Sequence, residues 1–258
     1  MTRAGDCGCT LTAGVIVTGI LLGATHSVSA QEALRGRLVF HVNLGYQLGS
    51  EELQQRLKIG AYGEDARFLT THDTVGGPGI DLGGSLNVWQ RLSVGASYTQ
   101  TMGSDTAAIT GTVPHPILMK SDRTIATRAL DLTREERSVH MYVAWLIDLP
   151  IEKVDVRVMG GPSYFNLTQD VVTGVVVTEV GGPLFESVSV DRIVTGGLIR
   201  NGWGGHVGAD VSYMFIDAVG IGGFVRFTRG AVKLPVGDSN VLVTVGGLQM
   251  GGGARFRF

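Results

Sequence analysis

A chain of 258 residues with a formal net charge of −2 is long enough for one barrel or sandwich and too nearly neutral to track a nucleic-acid backbone, so no nucleic-acid partner is expected. Its 39 glycines lie scattered through alternating segments, and Gly in a helix interior costs about 1 kcal/mol, so the composition argues against a helical protein. Beyond the first thirty residues no run approaches roughly 18 consecutive apolar residues, which excludes a membrane-spanning helix there.

The opening segment reads as an export signal. Arg3 supplies a positive charge, and residues 11–23 form an apolar run too short to cross a bilayer. Val28-Ser29-Ala30 then offers small residues for signal-peptide cleavage before Gln31. The expected organisation is residues 1–30 as a removable signal and residues 31–258 as one domain, with a retained anchor as the alternative. Cys7 and Cys9 precede the apolar run and leave with the signal, so no thiol or disulfide is expected afterwards.

Eight segments of period-two alternation follow, the pattern that puts every second side chain on one face of a strand. The first places Leu38, Phe40, Val42, Leu44 and Tyr46 opposite His41, Asn43 and Gln47. The second runs through Ile80, Leu82, Leu86 and Val88, and the third through Leu92, Val94, Ala96 and Tyr98. Val139, Met141, Val143, Trp145 and Ile147 mark the fourth; Val154, Val156, Val158 and Tyr164 mark the fifth. The sixth carries Val207, Ala209, Val211, Tyr213 and Phe215, and the seventh Val219, Ile221, Val225 and Phe227. The eighth ends the sequence with Leu248, Met250, Ala254, Phe256 and Phe258.

Short connections (89–91, 150–153, 216–218) alternate with long ones (49–79, 101–135, 166–202, 230–246). That asymmetry predicts an all-β, antiparallel up-and-down transmembrane barrel of eight strands, with four long outward loops and three short periplasmic turns. A secreted lipocalin-like barrel would share the periodicity with its apolar face inward. The export signal and the aromatics near segment ends favour the membrane reading: Tyr46, Trp89, Tyr98, Tyr164, Trp203, Tyr213 and Phe215. So does the closing Phe258, with Phe256 on the same face.

On these segments, and on Gly160-Gly161-Pro162-Ser163-Tyr164-Phe165, Val207-Gly208-Ala209-Asp210-Val211 and the final Gly251-Gly252-Gly253-Ala254-Arg255-Phe256-Arg257-Phe258, the chain resembles small bacterial outer-membrane β-barrels of the OmpA/OmpX-like kind. The resemblance implies an outer-membrane location, lipid as a partner, and contact with the barrel assembly machinery through the C-terminal strand, with Phe256 and Phe258 as the assembly signal. It departs from full OmpA in that no peptidoglycan-binding domain follows the last strand, so a cell-wall tether is not implied.

On the membrane reading the lumen collects Asp81, Asp148, Asp155, Arg157, Asp210, Arg226, Arg255 and Arg257. An eight-stranded barrel is just wide enough to be filled by side chains, so these charges are expected to pair as a plug rather than line an ion passage. His140, Ser163 and His206 share the polar face of neighbouring segments, a nucleophile-and-base arrangement lacking an orienting third group, and no catalysis is expected. His72 and His115 sit alone in loops, no HExxH or calcium loop is present, and Gly76-Gly77-Pro78-Gly79 lacks the Lys of a phosphate loop, so neither metal nor cofactor is expected. Residues 51–58 (EELQQRLK) predict a short polar helix, and residues 171–180 and 185–194 a hairpin with Gly181-Gly182-Pro183 at its tip. The long loops remain the place for an extracellular ligand. A narrow solute channel and an outer-membrane lipid-modifying enzyme are the alternatives.

Overall fold

The computed structural model describes residues 37–151, 153–236 and 239–258; the predicted signal segment falls outside them. The described residues form ten strands: β1 (Leu38–Leu48), β2 (Ser50–Ala61), β3 (Glu64–Val75), β4 (Pro78–Asn87), β5 (Leu92–Pro114), β6 (Asp122–Ile147), β7 (Val154–Val180), β8 (Ser187–Ile216), β9 (Val219–Val236) and β10 (Ser239–Arg257). Eight of them, β1 and β4 to β10, close an antiparallel ring. The ring shuts where β1 meets β10, from Val39↔Arg257 to Leu48↔Leu248. Closure leaves no open edge there, the condition a sheet must meet in lipid.

Every strand alternates in burial, and the face chosen identifies the solvent outside. Val42, Leu44, Val94, Val143, Trp145, Val207, Val211, Ile221 and Val225 point outward and are exposed, while Asn43, Asp81, Ser97, Arg226 and Arg255 point inward and are buried. Tyr164 packs edge-on against Trp203, and Tyr213 against Phe215. Along β8, the ten steps from Trp203 to Tyr213 rise about 25 Å once the tilt is allowed for, the height of an outer-membrane apolar band.

The predicted long loops are corrected by the structure: they are mostly β-strand. The segment 49–79 contains the hairpin β2–β3, turned at Tyr62 (φ 54°) and Gly63 (φ 80°), the two positive dihedrals of a type I′ turn. Residues 51–58 are therefore strand, not helix; full pairing with β3, from Ser50↔Val75 to Ala61↔Glu64, outweighs the helix preference of Glu, Gln and Leu. β5 and β6 continue paired to Pro114↔Asp122, and β7 and β8 to Val180↔Ser187 with 181–186 as the tip, as predicted for that hairpin.

In this crown above the barrel the alternation changes sense and apolar residues face inward. Ala66, Phe68, Ala107, Ile109, Val113, Ile125, Ala129 and Leu132 from β3, β5 and β6 bury against Val172 and Val175 of β7. A second cluster, Phe165, Leu167, Val232, Val243 and Val245, fills the upper lumen. Both clusters exclude water by burying apolar area.

Candidate functional site

From the periplasmic end upward, the lower lumen is a sequence of filled layers. At the rim Arg257 contacts Asp155, and Arg157 Nη2 lies 3.7 Å from the same carboxylate. Next, Arg255 Nη2 donates to Asp210 Oδ2 at 2.5 Å and its Nη1 to Asn43 Oδ1 at 2.5 Å. Asn43 Nδ2 donates to Asp81 Oδ1 at 3.0 Å, and His41 Nε2 lies 3.0 Å from that oxygen. Arg226 completes the layer: Nη2 donates to Asp81 Oδ2 (2.9 Å) and Thr99 Oγ1 (2.7 Å), Nη1 to Ser97 Oγ (3.0 Å) and Nε to Gln249 Oε1 (3.0 Å). Its guanidinium also sits 5.2 Å from the Phe224 ring centre. Only about 30 Å³ of cavity remains among these groups.

Seven of the eight predicted lumen charges thus meet inside the barrel or at its rim, with each acid beside an arginine. Asp148 does not join them. It lies past the end of β6 with an exposed side chain and contacts Arg91 of the β4–β5 turn, tying two periplasmic turns together. The strand register explains this: Ile147 is the last paired residue of β6, so the next side chain leaves the wall.

Above the ion pairs, Ser163 Oγ lies 2.8 Å from both His140 Nδ1 and His206 Nδ1, and His140 Nε2 lies 2.9 Å from Ser138 Oγ. Sequence reasoning placed these three residues together, and they are together. All three are buried, with Ser163 and His140 fully enclosed, and Phe165 covers His140 edge-on.

His72 is corrected: it is a fully buried residue of β3, not a loop residue, and its Nδ1 lies 2.8 Å from Asp105 Oδ2. Gln169 Nε2 donates to the same oxygen at 3.1 Å, and Arg134 Nη1 to Gln169 Oε1 at 3.3 Å. Arg134 Nη2 stands 3.6 Å from Glu136, whose side chain faces inward above the outer aromatic residues of its neighbours. Burial pushes the Glu136 carboxyl up, against Arg134, the Gly246 amide and Gln47, which lie near it without closing a well-formed hydrogen bond. The His72–Asp105–Gln169 group was missed because its members are brought together only by pairing of separate strands, whereas Arg134 and Glu136 share β6.

At the crown tip Arg123 contacts Glu179, with Arg123 Nη2 donating to Oε1 at 2.8 Å and Tyr62 Oη donating to it at 2.9 Å. The Arg123 guanidinium holds the Glu179 carboxyl below its ordinary range, and the same carboxylate pushes the Tyr62 phenol up. His115 also acts here. Its Nδ1 accepts from the amides of Ile117 and Leu118, which leaves Nε2–H to donate to Leu184 O at 3.0 Å and join the β5–β6 tip to the β7–β8 tip.

No family model matches the chain, and no curated protein matches it. Solved structures do. The outer membrane protein OprG from Pseudomonas aeruginosa is 9% identical, aligns over 87% of this chain and 96% of its own, and superposes with a TM-score of 0.50. The fold is that of a small outer-membrane β-barrel. Further similar structures are the outer membrane protease OmpT from Escherichia coli (10% identity, 86% and 97% covered, TM-score 0.46) and Neisserial surface protein A (15%, 86% and 97%, TM-score 0.39). Within this barrel fold the exposed apolar wall of β1 and β4 to β10 is the lipid-facing surface, and the crown is the part that stands clear of it.

Proposed function

We propose that this chain is an integral outer-membrane protein of the cell envelope that neither conducts nor catalyses, and that it acts as a structural or surface-interaction protein through its crown. The observation that carries the reading is the filled lower interior: the Arg226–Asp81 and Arg255–Asp210 pairs close the lumen at their level with about 30 Å³ left between them, and an apolar cluster built on Phe165 and Leu167 lies above. Residues 1–30 serve as the export signal, and Phe256 and Phe258 as the assembly signal read by the barrel assembly machinery. Lipid is the constant partner, an extracellular ligand is held by the crown, and no cofactor is required.

Planar-bilayer recording tests this directly. The refolded protein is expected to give no discrete conductance, and replacing Arg226, Arg255 and Arg257 together by Met is expected to lower thermal stability. Stepwise ion currents from the unaltered protein, with the triple variant changing selectivity but not stability, would establish a channel instead.

A further inference from the structure

Pairing of β1 with β10 ends at Leu48↔Leu248; above it β2 stays with β3 while β10 stays with β9. A cavity of about 220 Å³ lies behind this seam. Its wall there is backbone, contributed by Gly49, Gly76, Gly77, Gly246 and Gly247. Gly246 (φ 103°) and Gly247 (φ 139°) hold conformations that L-residues rarely adopt. A Cβ on Gly76 would come within 1.9 Å of Gln47 O, and one on Gly77 within 1.7 Å of Met102 O. Side chains therefore cannot be accommodated at Gly76, Gly77, Gly246 and Gly247, and this part of the wall stays thin at the rim of the apolar belt.

The groups on either side of that wall are unlike. Inside, Glu136 lines the cavity at 3% exposure, and neither carboxylate oxygen makes a hydrogen bond within the protein. Thr74 Oγ1 lines it in the same state. Arg134 meets this need only in part: its Nη2 forms an ion pair with the carboxylate at 3.6 Å, beyond hydrogen-bond reach, while its amino groups also donate to Gln169 Oε1 and Thr244 O. Outside, Arg229 is the register partner of Gly246, exposed and also lining the cavity, next to the exposed apolar side chains of Val75 and Phe227.

We propose that this cavity binds the head of a small zwitterion, its ammonium donating to Glu136 and Thr74 and its anionic group pairing with Arg229. A buried carboxylate with unfilled acceptor positions is costly, and an ammonium brings three donors with the opposite charge. Charge-assisted bonds formed away from water are the strong ones. An apolar continuation of the ligand lies over Val75 and Phe227, toward the lipid. Aminoethyl phosphate carries the required pair of charges, and it is available from two sources: as the head of a membrane lipid or as a free solute.

The full chain, refolded in detergent, is titrated with aminoethyl phosphate by calorimetry. In parallel, lipid retained from phosphatidylethanolamine–phosphatidylglycerol vesicles is measured by native mass spectrometry. Glu136→Gln and Arg229→Gln are each expected to weaken binding about tenfold or more, about 1.4 kcal/mol. Binding of the free compound assigns the soluble source, and selective retention of phosphatidylethanolamine assigns the lipid head. Binding of neither probe by the unaltered protein, or binding unchanged in the variants, overturns the proposal. Arg229 lies outside the barrel, so its variant keeps the test intact if Glu136→Gln fails to fold.

Discussion

Arg226→Met removes a guanidinium that is 3% exposed and directs hydrogen bonds at Asp81, Thr99, Ser97 and Gln249, while leaving most of the side-chain stem in place. Asp81 keeps Asn43, His41 and Thr99, so it is not stripped bare, but its buried charge loses the partner that offsets it. Breaking a buried pair from one side costs about 3–5 kcal/mol, mostly the penalty of the charge left behind. That is a large share of a total stability of about 5–15 kcal/mol. A stranded charge has a second consequence besides the loss. Adding Asp81→Asn to Arg226→Met should restore at least about 1 kcal/mol, because the second change removes the stranded carboxylate. Urea unfolding from lipid vesicles, followed by the fluorescence of Trp89, Trp145 and Trp203, gives the double-mutant cycle. A loss under about 1 kcal/mol for Arg226→Met, or simple additivity of the two changes, would refute the claim that this pair plugs the lumen.

Deletion of Phe258, which is exposed and edge-on to Phe40 with its ring centre 6.0 Å away, is expected to reduce membrane insertion in cells far more than refolding in detergent; equal effects in the two assays would reduce its role to packing. Acidification should loosen the crown tip before the barrel. The folded Glu179 carboxyl is held below its ordinary value of about 4.3, so its pairing contributes fully above that value and is lost as the pH falls through the lower one. Hydrogen exchange at 115–121 and 181–186 should accelerate in that window, and Glu179→Gln should abolish the dependence. A closed ring should also resist dodecyl sulfate without heat, so boiled and unboiled samples are expected to migrate differently on gels.

The barrel was legible in the sequence because its outward apolar run is uninterrupted from Val139 to Ile147 or Val207 to Phe215. Its interior was legible for the same reason, since fixing one face assigns Arg226, Asp81 and Arg255 to the other. The crown was hidden by phase. Gly76-Gly77 carries β3, whose inward residues are even-numbered, into β4, whose inward residues are odd-numbered. Asp131, at φ 59°, changes the phase of β6 in the same way, and the register slips again between Val172 and Gly174. Each bulge breaks a period-two run, and beyond it the apolar side faces the protein rather than lipid. The His72–Asp105 pair depends on that shifted register, which local alternation does not contain, whereas Arg134 and Glu136 keep the phase of the barrel part of β6.

The long hairpins have a kinetic consequence. β7 and β8 pair from the six-residue tip 181–186 down to Val154↔Tyr213, so each new hydrogen bond closes only a small additional loop. Joining β1 to β10 instead brings together Leu38 and Phe258, at opposite ends of the described chain, through the reciprocal amide–carbonyl pair at 3.1 and 2.8 Å. The entropy of closing that loop is recovered only when the full seam from Val39 to Leu48 forms. The hairpins are therefore the early species and seam closure the slow step. A chain delayed at that step carries finished hairpins with two open barrel edges, the form most exposed to pairing with another chain.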